Sequence, residues 1–358
     1  MDTAYLVLEN GSVFEGQAFG FMGEALGELV FTTGMSSFLE TLTDPANYGQ
    51  IVLQTFPIVG SYGIIPSDFE SEKAQVKAYI VREWCQEPSN FRSEGNLDIF
   101  LRENKIPGLC GIDTRALTRV IRSHGVMNAM ISRKKELTAE EIARLKAYKI
   151  TGAAEATSAK EPFVVKTDGA AKKVALWDFG APSKIIKELS ARGCEVTAVP
   201  CGYTAEQVAA LKPDGVALGD GPGNPADNAG IIAEIKKLAQ KKIPVLGVGL
   251  GHQLLAISQG AKTEALPHGH RGANLPVREK MTGRLFITSQ NHGYTVSGAS
   301  LPADAEMSYE NQNDGSCEGL AYKSIPAISV QFHPAAHIGI NAPENPYDVF
   351  VNMMGRDS

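Results

Sequence analysis

The periodicity of hydrophobic and polar positions changes near the middle of the chain. In the first part, short apolar runs precede turn residues, as at 4–8, where Ala-Tyr-Leu-Val-Leu is followed by Glu-Asn-Gly. Residues 27–33 are rich in strand-forming residues, and residues 76–81 alternate as in a half-buried strand. Asp113 and Gly125 lie on either side of an apolar-periodic stretch that predicts a helix. The N-terminal part is therefore expected to be mixed, with more strand than helix.

Later in the chain, apolar strand segments alternate with amphipathic helical segments. The predicted strands are 173–180, 195–200, 215–218 and 244–248, and the predicted helices are 183–192, 204–211, 228–241 and a helix from His252 onward. This alternation predicts a parallel sheet with helices on both faces. The expected fold class is α/β, with an N-terminal β-rich mixed domain and a C-terminal doubly wound parallel-sheet domain.

A segment without clear periodicity separates the strand-rich N-terminal part from the part in which strands and helices alternate. Residues 151–170 are rich in Ala, Thr, Ser and Lys. Such a segment is typical of a linker. The predicted organisation is therefore a domain over 1–150, a linker over 151–170 and a second domain over 171–358.

Composition narrows the class of protein. The 358 residues are 43% hydrophobic and 21% charged, as in globular proteins, and the net charge of -6 argues against a nucleic-acid partner. The five cysteines are scattered without a C-x-x-C motif, which indicates thiols in a reducing compartment. No apolar run approaches the roughly 18 residues of a membrane span, and the N-terminus predicts a strand rather than a signal peptide. We expect a cytoplasmic protein without a membrane partner.

Four segments rich in glycine or histidine follow short apolar runs in the second half. They are 219–225 (Gly-Asp-Gly-Pro-Gly-Asn-Pro), 249–253 (Gly-Leu-Gly-His-Gln), 289–294 (Ser-Gln-Asn-His-Gly-Tyr) and 330–334 (Val-Gln-Phe-His-Pro). Ligands of doubly wound sheets bind beyond the carboxyl ends of the strands. These segments are therefore the candidate functional site.

In this order the segments resemble a class I, or triad, glutamine amidotransferase, and the whole chain resembles the small subunit of carbamoyl-phosphate synthetase. The N-terminal half carries the resemblance at 27–33, at 35–45 (Met-Ser-Ser-Phe-Leu-Glu-Thr-Leu-Thr-Asp-Pro) and at 111–119 (Gly-Ile-Asp-Thr-Arg-Ala-Leu-Thr-Arg). The resemblance implies a subunit that hydrolyses glutamine and passes ammonia to a large subunit. That partner makes carbamoyl phosphate from bicarbonate, for arginine and pyrimidine biosynthesis. No cofactor and no metal are expected in this chain, and ATP and magnesium are expected only in the large subunit.

The catalytic triad of that family is incomplete here. The family pattern is a Cys in a Gly-x-Cys-x-Gly elbow, a His that accepts the thiol proton, and a Glu that orients the His. In this chain, residues 247–251 read Gly-Val-Gly-Leu-Gly, so Gly249 stands at the nucleophile position. His333 is retained, and Ala335 stands at the Glu position. Because glycine has no side chain, no acyl-enzyme can form there, and we expect the intrinsic glutaminase to be lost.

The glutamine pocket, in contrast, is expected to be largely retained. The resemblance makes the Leu250 N–H an oxyanion donor and assigns glutamine contacts to Gly221, Gly223, Gln253, Asn291, Gly293 and Tyr294. Ala46 stands where the family usually has a serine that contacts glutamine, and Gly-Asp at 219–220 replaces the usual Ser-Asn. Because Ala46 and Ala335 depart from the pattern together with Gly249, natural loss is favoured over an engineered substitution.

Other histidines and cysteines have a structural interpretation. We interpret them as scaffold residues or idle thiols rather than metal ligands or substitute nucleophiles: His252, His268, His270, His292, Cys201 and Cys317.

Three hypotheses for function follow. The first is a structural small subunit that supports ammonia-dependent synthesis by a large subunit. The second is a non-catalytic module that binds L-glutamine or regulates another complex. The third is an active glutaminase that uses a different nucleophile.

Overall fold

The computed structural model describes residues 2–180, 182–336 and 344–355. By its internal contacts the chain divides into two compact units. The barrel unit contains residues 1–151 together with 267–271, and the sheet unit contains residues 152–266 and 272–358.

In the barrel unit, strands close into a barrel, and helices and a short strand pair accompany them. The strands are β1 (Thr3–Leu8), β2 (Val13–Gly20), β3 (Ala25–Thr32), β4 (Gln50–Gln54), β5 (Ile58–Val59), β6 (Ala78–Ile80), β7 (Glu83–Trp84), β8 (Pro107–Cys110) and β9 (Met127–Ser132). The helices are α1 (Phe38–Thr43), α2 (Leu97–Glu103), α3 (Thr114–His124) and α4 (Ala139–Ala147). The barrel order is β1-β2-β8-β6-β4-β3-β9, and β9 pairs with β1 to close it, whereas β5 and β7 pair with each other.

Successive residues of strand β3 pack into two different cores, because side chains alternate between the two faces of a strand. On β3, Leu29 packs into a core with α3, and the next residue, Val30, packs into a second core with α1 and α2. The strand predicted as half-buried at 76–81 becomes β6, and it is buried on both faces for the same reason. The helix predicted between Asp113 and Gly125 is confirmed as α3. The Asp113 carboxylate accepts a hydrogen bond from the Ala116 N–H at 2.9 Å, and Gly125 ends the helix at φ 88°.

The sheet unit confirms the predicted α/β class. Its strands are β10 (Phe163–Val165), β11 (Lys172–Trp177), β12 (Cys194–Val199), β13 (Gly215–Leu218), β14 (Val245–Val248), β15 (Thr263–Glu279), β16 (Leu285–Val296), β17 (Ala305–Asn311), β18 (Cys317–Tyr322) and β19 (Ala327–Val330). Its helices are α5 (Ala153–Thr157), α6 (Pro182–Ala191), α7 (Ala205–Ala210), α8 (Ala229–Ala239), α9 (Leu250–Ser258) and α10 (Pro346–Met353). The sheet order is β10-β12-β11-β13-β14-β19-β18-β16-β15-β17, with parallel pairing from β12 to β19.

Helices cover both faces of the parallel part. On β11, Trp177 lies in a core built with α7, α8 and α9, and the neighbouring Leu176 lies in a core built with α6 and α10. A central parallel strand buried on both faces carries a continuous apolar run, as residues 174–177 do. The carboxyl ends of β13, β14 and β19 therefore lie side by side.

The segment that the sequence predicts as a linker carries regular structure. Residues 151–170 contain α5 and β10, and β10 pairs antiparallel with β12. From residue 152 onward the segment groups with the sheet unit. Strand β10 is held by its pairing with β12, and α5 by the packing of Ala154 in the core, and hydrophobic periodicity shows neither contact.

Within the described residues, no helix is both long enough and apolar enough to span a bilayer.

Candidate functional site

The elbow between β14 and α9 is the centre of the candidate site. Strand β14 ends at Val248, α9 begins at Leu250, and Gly249 lies between them with φ 54° and ψ -114°. Residues other than glycine are strained in this region of positive φ, because they carry a Cβ atom. The Gly249 N–H donates to the carbonyl of Val330 on β19 at 3.0 Å, which ties the elbow to the neighbouring strand.

Close packing places the loop after β13 directly against this elbow. The Gly251 N–H donates to the Gly219 carbonyl at 3.0 Å. A Cβ atom on Gly251 would overlap the backbone oxygen of Leu218. The absence of a side chain at 251 therefore lets the first turn of α9 approach β13, and the loop at 219–223 borders Gly249.

The carboxyl group of Asp220 occupies the space beside Gly249. Its Oδ1 accepts hydrogen bonds from the Leu250 N–H at 2.9 Å and from the Gly221 N–H at 2.7 Å. Asp220 is only 7% exposed, and a Cβ atom on Gly249 would overlap its carboxyl group. Two backbone N–H groups that converge on one oxygen are the geometry of an oxyanion hole. Here a carboxylate oxygen of the protein itself accepts both hydrogen bonds.

His333 lies next to the same carboxyl group. It follows β19, and its backbone N–H donates to the carbonyl of Ser289 on β16 at 3.0 Å. Its Nδ1 is 3.8 Å from Asp220 Oδ2, which is beyond hydrogen-bond range but allows a charge interaction when the ring is protonated. Ala335 lies in an exposed turn two residues later, and its methyl group has no atom that could orient the imidazole.

The remaining residues expected to hold glutamine are divided between the two units. In the sheet unit, Gln253 on α9 donates from Nε2 to the Tyr294 carbonyl and to Gln331 Oε1, both at 2.8 Å. The other sheet-unit members lie on β16 or in the loop after β13: Asn291, Gly293, Tyr294, Gly221 and Gly223. Ala46 belongs to the barrel unit, where its N–H donates to Asp44 Oδ1 at 2.9 Å. The glutamine-contacting roles of all these residues stay predictions.

Buried histidines next to the site make scaffold contacts. His252 on α9 is fully buried with Nδ1 2.8 Å from Ser329 Oγ, and burial lowers its pKa to about 3. His292 on β16 has Nδ1 2.8 Å from the Tyr294 carbonyl and Nε2 3.0 Å from Gln290 Oε1. The structural interpretation of both rings stays a prediction, and His292 also lies in a buried group with His270 and Glu318 whose ligand atoms are within 4.8 Å of one another.

Neither candidate for a substitute nucleophile has the properties of a reactive thiol. Cys317 is 1% exposed on β18, and burial raises its pKa to about 12. Cys201 is buried just after β12, and burial also raises its pKa. A reactive cysteine needs access and a thiolate at neutral pH, which a raised pKa opposes.

Asp220 is the residue whose role sequence reasoning missed. The sequence shows Gly-Asp where the family usually has Ser-Asn, but the replacement alone suggests no contact. The available signal was the combination of an acidic residue directly before Gly-Pro-Gly and an elbow without a nucleophile side chain. Only the structure shows that the carboxyl group enters the volume left by the missing side chain.

Comparison with known families divides the chain much as the structure does. Residues 6–131 match the family described as carbamoyl-phosphate synthase small chain, CPSase domain. Residues 175–353 match the family described as glutamine amidotransferase class-I. The elbow, the loop after β13 and His333 all lie within the second match.

Curated relatives match over almost their whole length. A protein of Clostridium perfringens (strain 13 / Type A), named carbamoyl phosphate synthase small chain, is 46% identical over 97% of this chain and 98% of its own. One of Bacillus subtilis (strain 168), named carbamoyl phosphate synthase pyrimidine-specific small chain, is 45% identical over 98% of this chain and 95% of its own. One of Symbiobacterium thermophilum, named carbamoyl phosphate synthase small chain, is 40% identical, and the match covers 98% of both chains.

Proposed function

Because this chain belongs to the carbamoyl phosphate synthase small chain family, we propose that it acts as a small subunit that supports ammonia-dependent synthesis without hydrolysing glutamine. Its partner is a large subunit, which binds ATP and magnesium and makes carbamoyl phosphate. The product would serve arginine and pyrimidine biosynthesis, and the Bacillus subtilis relative is named pyrimidine-specific.

The geometry at Gly249 is the observation that carries this proposal. Acyl transfer from glutamine needs a nucleophile at the elbow, a base beside it and donors for the oxyanion. Position 249 has no side chain, and the Leu250 N–H that would stabilise the oxyanion donates to Asp220. His333 has a carboxyl group beside it instead of a thiol.

The thiols of the sheet unit support the same proposal. Burial raises the pKa of Cys194, Cys201 and Cys317, and none of them lies at the elbow. A glutaminase with a different cysteine nucleophile therefore has no support in the geometry of this unit.

The test measures carbamoyl phosphate formation by the purified chain mixed with a large subunit of the family. The nitrogen source is either L-glutamine or an ammonium salt, and a family small chain with cysteine at the elbow serves as the positive control. We expect synthesis from ammonium and none from glutamine, whereas the control uses both. Glutamine turnover by this chain at a rate within about tenfold of the control would contradict the loss of glutaminase.

Complex formation tests the subunit role separately. We expect the chain and the large subunit to co-elute in size-exclusion chromatography and to form carbamoyl phosphate from ammonium. If the two proteins do not associate, the subunit role is wrong, and measurable L-glutamine binding would then favour the sensor hypothesis.

A further inference from the structure

The oxyanion hole of this chain already has a ligand supplied by the chain itself. The Leu250 and Gly221 N–H groups both donate to Asp220 Oδ1, at 2.9 and 2.7 Å. An acyl oxygen of a bound amide would need the same two donors. The carboxylate and the substrate oxygen therefore compete for one position.

The internal carboxylate has two advantages in that competition. A carboxylate accepts hydrogen bonds from backbone N–H groups more strongly than a neutral amide oxygen does, because the interaction is charge-assisted. It is also tethered next to its donors, so it loses no translational freedom when it binds, whereas glutamine does. A neutral ligand must displace Asp220 before it can reach the hole.

Gly249 is the residue that gives this carboxyl group its space. The nearest atoms to a Cβ built on Gly249 are all atoms of the Asp220 carboxyl group. A nucleophile side chain at 249 and the observed position of Asp220 exclude each other. The two positions are thus coupled through the same volume, although they lie 29 residues apart.

We propose that Asp220 is a built-in ligand of the oxyanion hole, which excludes glutamine and other acyl ligands from the elbow, and that Gly249 provides the room for it. This inference rests on the proposed function, because the hole has to be unused for hydrolysis. Asp220 then determines which ligands can reach the elbow. The glycine at 249 has a structural role, because it leaves room for the Asp220 carboxyl group.

Ligand binding by the full chain tests the exclusion. Isothermal titration with L-glutamine compares the wild-type chain with Asp220→Ala, which removes the carboxyl group, and with Asp227→Ala. Asp227 is an exposed acid beyond the same loop, so its variant controls for the loss of one negative charge. We expect Asp220→Ala to bind glutamine at least about tenfold more tightly than the wild type, and Asp227→Ala to match the wild type. Equal affinity in wild type and Asp220→Ala would overturn the proposal.

Thermal unfolding tests the shared volume. The variants are Gly249→Ala, Asp220→Ala and the double substitution. Alanine at φ 54° strains the backbone both in the wild-type chain and in Asp220→Ala. The double-mutant cycle therefore isolates the overlap between the new Cβ atom and the Asp220 carboxyl group. We expect Gly249→Ala to lower the Tm by about 4 °C more in the wild-type background than in the Asp220→Ala background. The same Tm loss in both backgrounds would show that Asp220 does not occupy that space.

Amide hydrogen exchange in the wild-type chain answers the question if Asp220→Ala does not fold. We expect the Gly221 and Leu250 amides to be protected from exchange and L-glutamine to leave that protection unchanged. Further protection of these two amides by glutamine would overturn the proposal. None of these readouts depends on synthesis by a complex, so failure of the further inference and failure of the proposed function are distinguishable.

Discussion

At the scale of single residues, the chemistry of the elbow depends on what occupies one small volume. Gly249 removes a side chain, and Asp220 places a carboxyl group where that side chain would be. His333 has its Nδ1 3.8 Å from this carboxyl group. The lack of a side chain at position 249 can be read from the sequence because it depends on residue identity alone. The position of the Asp220 carboxylate beside Gly249 cannot be predicted in this way, because it depends on the distance between two loops.

The buried imidazole of His252 makes stability depend on pH. Burial lowers its pKa from 6.5 to about 3. The unfolded chain takes up a proton below about pH 6.5, and the folded chain does so only near pH 3, so the free energy of unfolding falls as the pH falls through this window. We expect this residue to contribute up to about 1.4 kcal/mol per pH unit to the slope, and His252→Gln to make the slope shallower.

Urea denaturation between pH 7.5 and pH 4.5 measures that slope. Ser329→Ala serves as the matched control, because it removes the hydrogen bond to His252 Nδ1 and keeps the imidazole. It should lower stability without changing the slope. Identical slopes for wild type and His252→Gln would contradict the prediction.

At the scale of elements, hydrophobic periodicity predicts most strands and helices of the sheet unit. It does not predict the close contacts between them. The strand predicted at 215–218 is confirmed as β13, and the helix predicted at 228–241 is observed as α8 over Ala229–Ala239. The contact between α9 and β13 depends on Gly251. The elbow pattern includes this glycine, but the hydrophobic periodicity does not show that it lies against Leu218. The position of the Leu250 N–H therefore depends on packing that the periodicity does not show.

A pair of glycine substitutions tests this packing. Gly251→Ala places a Cβ atom on the backbone of Leu218, so we expect the free energy of unfolding to fall by about 1–3 kcal/mol. Gly230→Ala makes the same change in α8, where no atom lies within 4 Å of the new Cβ. There we expect the free energy of unfolding to stay unchanged or to rise by up to about 1 kcal/mol. Chemical denaturation measures both, and equal effects would show that α9 does not pack closely on β13.

At the scale of the whole molecule, burial decides which thiols can react. None of the five cysteines forms a disulfide, as their scattered spacing predicts. Cys85 is partly exposed, and the other four are buried. Burial raises the pKa of each buried thiol, namely Cys110, Cys194, Cys201 and Cys317. The fold therefore keeps most of its thiol chemistry away from solvent.

Thiol titration checks this distribution. With the native chain and an aromatic disulfide reagent, we expect one rapidly reacting thiol, Cys85, and we expect five reactive thiols after denaturation. Cys85→Ser should remove the rapid phase and leave the rest of the time course unchanged. A rapid phase that persists in Cys85→Ser would identify a reactive cysteine elsewhere. That result would favour the hypothesis of a glutaminase with a different nucleophile.

The sequence by itself determined the α/β class, the order of strands and helices from β11 to α9, the family, and the absence of a side chain at Gly249. These properties are carried by residue identity and by local periodicity, which a linear pattern records. Tertiary structure alone decided the closure of the barrel between β9 and β1, the regular structure within residues 151–170, and the contact of the Asp220 carboxyl group with the Leu250 N–H. Each of these depends on backbone groups or side chains that are distant in sequence, and their contacts are set by how the elements pack against one another.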